Sequence, residues 1–237
     1  MIERMTDRSL HPWDERGESP PPPNSEGGPA WEPAARRDWP TYFARIEGKP
    51  PRKTLLDALH RFDAEETMRG PTPPLCIDLG CGSGIDAAEL RRRGWAVFGI
   101  DGHREGLQRL LARPEFEPSP LLTLRLALFE DLGPLPPCRL LNASFSLPFC
   151  EPAHFERVWS ACVEAIEPGG RFAGQFFGDR DTWASIPDRT HRSRDAARAC
   201  FDWAEIEMFD EEERDGEDAK GNVKHWHVFH IVARKRT

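Results

Sequence analysis

The short apolar run Leu75-Cys76-Ile77-Asp78-Leu79 leads directly into Gly80-Cys81-Gly82-Ser83-Gly84, and a helical stretch, Ala87 to Arg93, follows and closes at Gly94. An apolar run of this length bounded by glycines reads as a buried strand. The glycines permit positive φ and a close approach of backbone to a ligand. A turn of this kind, between a strand's end and a helix's start, is where open α/β sheets bind their ligands. It constrains the fold more than any other segment of the chain.

The flanking segments repeat the alternation. Trp95 to Asp101 reads as a second buried strand, Arg104 to Arg113 as a helix, Leu121 to Phe129 as a third strand and Arg139 to Phe145 as a fourth. Phe155 to Ile166 is helical and ends at Pro168-Gly169-Gly170, and Arg171 to Phe177 is a fifth strand. The fold class is therefore α/β, with a Rossmann-like, mostly parallel sheet and helices on both faces. Near the end, Trp203 to Phe209 and Val223 to Ala233 have no helix between them, only an acidic loop from Asp210 to Asp218. They read as an antiparallel hairpin at one edge of the sheet.

Upstream, ordered structure is expected from about Trp39-Pro40-Thr41-Tyr42-Phe43, followed by a helix over Thr54 to Phe62. Residues 1–35 contain Pro20-Pro21-Pro22-Pro23 and Gly27-Gly28. Such a segment buries too little apolar surface to offset its ordering entropy, so it reads as a disordered tail. A proline-rich docking motif is the other reading of that run. Residues 36–237 are left as one domain.

Composition narrows the partners. With 32 Lys+Arg against 40 Asp+Glu and a net charge of −8, the chain lacks the basic balance of a nucleic-acid binder. No apolar stretch approaches the ~20 residues that span a bilayer, and the first thirty residues hold no apolar signal core. The six cysteines form no C-x-x-C pair and read as reduced, buried thiols. These features predict a cytoplasmic protein with no nucleic-acid and no membrane partner.

The loop's chemistry lies in its spacing and its carboxylates. A dinucleotide fingerprint needs G-x-G-x-x-G to set a pyrophosphate on the helix N-terminus. Here the glycines run G-x-G-x-G with Asp78 two positions upstream. A carboxylate there repels a pyrophosphate and suits a ligand with a cationic amine. No Gly-Lys-Ser/Thr follows, which excludes a phosphate-binding loop. Asp101 ends the next strand, where a carboxylate can grip the two hydroxyls of a ribose. A nicotinamide-dependent oxidoreductase, disfavoured by the spacing, and a non-catalytic cofactor-binding protein on the same fold are the alternatives.

At these residues the chain resembles the class I S-adenosylmethionine-dependent methyltransferases, over roughly residues 70 to 178. Asp78, Gly80, Gly82 and Gly84 match the family's acidic-x-Gly-x-Gly-x-Gly motif. The resemblance implies S-adenosylmethionine as cofactor, with the loop, Cys81 included, around its methionine part and Asp78 near the amine. It implies that Asp101 holds the ribose and that Gly102, with His103, flanks the adenine. Phe129 and Glu130 fall where the family contacts adenine, and Asn142, Ser144 and Phe145 where the fourth strand faces methyl group and acceptor. The chain has Asn142-Ala143-Ser144-Phe145 where methyltransferases of amide or nucleobase nitrogens carry Asn/Asp-Pro-Pro-aromatic. Together with Gly174 to Asp181, this is most similar to small-molecule and tellurite-resistance type methyltransferases. The implied reaction is methyl transfer to a small-molecule acceptor.

Several side chains are candidates for that step. Tyr42 lies in a segment that in this family folds over the site as a lid, and Ser144 and His103 are further candidates for catalysis. Asp179, Arg180 and Trp183 follow the fifth strand on the ligand edge of the sheet and are candidates for acceptor binding, with Tyr42, Ser144 and Phe145. His225, His227 and His230 could suggest a metal. On a strand, however, the first two share one face and His230 takes the other, so no metal site is expected.

Overall fold

In the computed structural model, residues 38–65, 72–116, 120–218 and 221–237 are described. The proline-rich segment over 1–35 lies outside them.

Two helices precede the sheet, α1 (Trp39–Ile46) and α2 (Lys53–Ala64). The alternation expected from the glycine loop follows: β1 (Leu75–Leu79), α3 (Ile85–Arg92), β2 (Ala96–Asp101), α4 (Arg104–Leu111), β3 (Leu122–Leu126), β4 (Cys138–Ala143), α5 (Pro152–Ala165) and β5 (Ile166–Gly178). A two-residue strand, β6 (His191–Arg192), and the short α6 (Arg194–Ala199) then lead to β7 (Ala204–Glu217) and β8 (Val223–Lys235). The sheet order is β3-β2-β1-β4-β5-β8-β7, with β6 beside β5. Strands β1 to β6 pair in parallel, and β8 runs antiparallel to both β5 and β7. The order reverses between β1 and β4, so a crevice opens beside the glycine turn at the carboxyl ends of these strands.

Burial on both faces explains the near-continuous apolar strands. Leu55, Leu59 and Phe62 of α2, Leu90 of α3 and Leu107 and Leu110 of α4 pack on one face with Cys76, Val97 and Leu140. Phe155, Val158, Trp159 and Cys162 of α5 cover the other with Ile77, Leu141, Phe172 and Phe176. Trp159 anchors this second layer, its ring within 5.2–5.4 Å of Phe172, Phe176 and Phe201. Fully burying such a side chain contributes roughly 1.5–3 kcal/mol. Five of the cysteines are buried, Cys200 is partly so, and all six are free thiols. No helix among the described residues is long and apolar enough to cross a membrane.

Two segments differ from their sequence reading. β5 starts at Ile166, so Pro168-Gly169-Gly170 lies within the strand as an irregularity in its pairing with β4. The expected acidic loop is instead the outer half of β7, paired residue for residue with β8 from Asp210↔His230 to Glu217↔Val223. Its carboxylates meet basic side chains there: His225, His227, His230, Arg180, Arg194 and Arg214 all contact them. These ion pairs and the cross-strand histidine contacts offset the low strand propensity of Asp and Glu.

Candidate active site

After Leu79 the chain turns through Gly80, Gly82 and Gly84, at φ of 75°, 50° and 82°. Contact demands glycine as well. A Cβ on Gly80 would lie 2.3 Å from that of Ser146, and one on Gly82 would lie 3.2 Å from the Phe43 ring. The turn is pinned to β2, because the Gly80 and Cys81 amides both donate to the Ile100 carbonyl, at 2.7 and 3.1 Å.

Asp101, at the end of β2, accepts from the Gly82 amide through Oδ2 (2.8 Å) and from the His103 amide through Oδ1 (2.7 Å). Burial raises its pKa, and the two amides oppose the rise. Each carboxylate oxygen still has capacity for another donor.

Asp78 is 2% exposed. Its Oδ1 accepts from Asn142 Nδ2 at 2.8 Å, while its Oδ2 has no hydrogen-bond partner. The same Asn142 nitrogen donates to Asp86 Oδ2 at 3.1 Å, and Asp86 Oδ1 accepts from the Arg52 amide at 2.9 Å. Burial first, and then the Asp86 carboxylate, push the Asp78 carboxyl well above the usual carboxylate range.

Two clefts meet at this turn. The larger, about 760 Å³, runs between Asp101, Gly102, His103, Phe129 and Glu130 on one side and Trp39, Tyr42 and Phe43 of α1 on the other, and ends at Ser144, Phe145 and Phe149. The smaller, about 460 Å³, runs from Asp78, Cys81 and Asp86 to Lys49 and Arg52. Tyr42, Gly80, Gly82 and Ser144 border both. Ser144 Oγ donates to Asn142 Oδ1 at 3.2 Å.

Phe145 is the one residue other than glycine with positive φ (51°) among the described residues, a conformation that costs on the order of 1–3 kcal/mol. Its amide donates to Gln175 Oε1 at 2.9 Å, and Gln175 Nε2 donates to Thr54 Oγ1 at 2.9 Å. The Arg52 guanidinium lies 4.8 Å over the Phe145 ring and donates to the Tyr42 hydroxyl at 3.3 Å. His103 borders the larger cleft and keeps Nδ1 buried without a partner.

Asp179, Arg180 and Trp183 border neither cleft. Glu211 and Glu213 hold the Arg180 guanidinium at 2.8 and 2.7 Å, and Asp179 lies 3.6 Å from His227. Trp183 stacks 3.6 Å from the Lys224 ammonium, which pairs with buried Asp181, so the segment after β5 folds toward the hairpin. Glu211, Glu213 and His227 bring ligand atoms within 4.8 Å of one another, but Arg180 already engages both carboxylates.

Sequence reasoning missed Phe43, Phe149, Ser146 and Asp86. Asp86 carries a sequence signal, a carboxylate in the first turn after the glycines, but such a residue reads equally as an ordinary helix-dipole partner.

Residues 76–170 match the model of a methyltransferase domain family. Among curated proteins no sequence matches the chain. Of solved structures, TehB from Haemophilus influenzae is similar at a TM-score of 0.61 and 17% identity, over 74% of this chain and 62% of that one. The chain thus spans less than two thirds of TehB. An S-adenosylmethionine-dependent methyltransferase from Mesorhizobium loti is similar at 0.53 and 19% identity, over 76% of this chain and all (100%) of that one. Magnesium protoporphyrin IX methyltransferase from Synechocystis PCC 6803, with bound S-adenosylhomocysteine, is similar at 0.54 and 13% identity, over 78% and 82%. Residues 76–170, from β1 into β5, thus match a methyltransferase domain in sequence, and the sheet has the fold of the S-adenosylmethionine-dependent methyltransferases it resembles.

Proposed function

We propose that the protein transfers the methyl group of S-adenosylmethionine to a small-molecule acceptor bound at the carboxyl end of β4. The observation that carries this reading is Asp78 Oδ2, a buried oxygen without a donor beside the glycine turn. A ligand's cationic amine supplies the missing donor and offsets the cost of burying the charge.

In this reading Asp78 takes the amine while Asn142 fixes its other oxygen. Gly80, Cys81, Gly82 and Gly84 form the backbone cradle, and Asp101 takes the ribose hydroxyls. Gly102, Phe129 and Glu130 flank the adenine, with His103 packed beside them. When bound, the cofactor supplies a methyl group made electrophilic by its sulfonium. The protein's share is then orientation, which can supply ~7–11 kcal/mol of barrier reduction. Tyr42, Ser144 and Phe145 border the acceptor side, and Tyr42 on α1 acts as a lid. A small acceptor fits because the described residues form one sheet with its helices and leave no separate unit for gripping a macromolecule.

Calorimetric titration with S-adenosylhomocysteine and with NAD, on the wild type and Asp101→Ala, tests this. Binding of the sulfur ligand alone, weakened in the variant by about 1.5–3 kcal/mol per lost bond, is expected. Absence of S-adenosylhomocysteine binding would overturn the reading.

A further inference from the structure

Two local rules fail side by side at the end of β4. Phe145, an aromatic residue, takes a positive φ (51°), where glycine is the usual occupant. Gln175, an amide, is 1% exposed within the apolar run Phe172-Ala173-Gly174-Gln175-Phe176-Phe177 of β5. Each exception alone destabilises the fold, the first by strain and the second by the desolvation of an amide. They answer each other. Gln175 Oε1 accepts from the Phe145 amide and Gln175 Nε2 donates to Thr54 Oγ1, both at 2.9 Å. A backbone N–H can only donate, so the side chain must turn its oxygen to Phe145 and its nitrogen to Thr54.

Thr54, buried in the first turn of α2, is one of two holds that this helix has on Phe145. The other is Arg52, just before the helix, whose guanidinium covers the Phe145 ring at 4.8 Å while its backbone amide donates to Asp86. Phe177 and His230 flank the ring at 6.4 and 6.2 Å. Phe145 and Ser144 border the larger cleft, and Ser144 borders the smaller as well. Gln175 borders neither, so any influence on a ligand passes through Phe145. A strained residue persists only where its surroundings over-determine it, and such residues gather at functional sites. Where two broken local rules compensate each other beside a cleft, function is the usual reason.

We propose that Gln175 is a positioning residue of the methyl transfer. It holds Phe145 in the left-handed conformation and so sets Ser144 and the Phe145 ring as the wall against which the acceptor is aligned. This inference rests on the methyl-transfer reading above and adds a residue that touches neither cofactor nor acceptor. Without the Gln175 oxygen the Phe145 amide loses its acceptor, the backbone relaxes to negative φ, and the ring leaves the wall. A misplacement of about 1 Å at such a wall can cost roughly 10²-fold in rate.

The test uses the full chain and two measurements. In crystal structures with S-adenosylhomocysteine bound, the wild type should keep Phe145 at positive φ and Gln175→Met should show it at negative φ. Turnover of S-adenosylmethionine is then followed over a panel of small thiols, phenols, amines and carboxylates, and counted per S-adenosylhomocysteine-binding site so that unfolded protein drops out. Gln175→Met should lose about 10–10²-fold in kcat per site, with S-adenosylhomocysteine affinity unchanged. Gln175→Glu, which still accepts from the amide, should recover part of the loss, and Thr54→Val should lose less than Gln175→Met. A merely structural Gln175 would lower the melting temperature and the number of binding sites but leave kcat per site as it was. Should Gln175→Met not fold, Gln175→Asn, whose shorter side chain withdraws the oxygen, takes its place in both measurements. An unchanged kcat per site, or Phe145 still at positive φ in the variant, would overturn the assignment. Failure of the wild type to bind S-adenosylhomocysteine, or to methylate any member of the panel, would instead overturn the methyl-transfer reading.

Discussion

Asn142 donates to one oxygen of Asp78 at 2.8 Å, and the second oxygen of the carboxylate is left buried without a donor. The residue that fixes the carboxylate stands on β4 and the carboxylate on β1, the two strands between which the sheet order reverses.

Replacing Asp78 by Asn keeps the shape and removes the charge. The affinity for S-adenosylhomocysteine should fall by about 1.5–3 kcal/mol, the worth of a hydrogen bond to a charged group. Calorimetric titration reads this directly, and an unchanged affinity would show that Oδ2 does not meet the amine.

Proton linkage gives an independent readout. The Asp78 carboxyl is pushed up to about 8 in the ligand-free fold, first by burial and then by Asp86, from an ordinary value of 3.8. A group raised in the folded state contributes stability that is full below its unfolded pKa and lost as pH rises through the folded one. The ligand-free protein should therefore melt at progressively lower temperature between about pH 4 and pH 8. A cationic amine favours the ionised carboxylate, so binding at pH 7 should release a proton. The binding enthalpy should then depend on the buffer's ionisation heat, and this dependence should vanish in Asp78→Asn.

Arg171 is 1% exposed and joins Glu65, at the end of α2, to Glu207 on β7, with its guanidinium 4.5 Å over the Phe62 ring. Arg171→Met should destabilise the fold by about 1.5–3 kcal/mol, because Glu65 and Glu207 lose their nearest partner and keep only the longer contacts to Arg234 (3.6 Å) and Arg61 (3.8 Å). Denaturant unfolding measures the loss, and adding Glu207→Gln should recover part of it.

Trp159→Ala should cost about 3–5 kcal/mol through the cavity it opens against Phe172, Phe176 and Phe201. That layer lies on the α5 face, away from both clefts. The variant should therefore bind S-adenosylhomocysteine as the wild type does wherever it remains folded, as thermal melts beside titrations will show.

What the sequence made legible was local. Apolar runs bounded by glycine marked β1 and β2, and the strand-end positions of Asp78 and Asp101 placed two carboxylates on one turn. The acidic half of β7 was not legible, because its partners, Arg180 and the β8 histidines, are distant in sequence and no local pattern announces them. Phe43 and Asp86 were hidden for the same reason. Phe43 matters through the room that Gly82 leaves for its ring, and Asp86 through the Asn142 amide that donates to it. Trp183 and Arg180 do follow a strand on the ligand edge. The Asp181–Lys224 pair, formed across 43 residues of chain, turns them to the hairpin instead.

The sheet stops at β7, whose outer half exposes Asp210, Glu211, Glu213, Asp215 and Glu217. Its free backbone edge is thus fenced by like charges. A second copy adding its own β7 there would have to bring two such rows together and strip water from both. The carboxylates that tie β7 into the hairpin also disfavour growth of the sheet outward into an edge-to-edge aggregate.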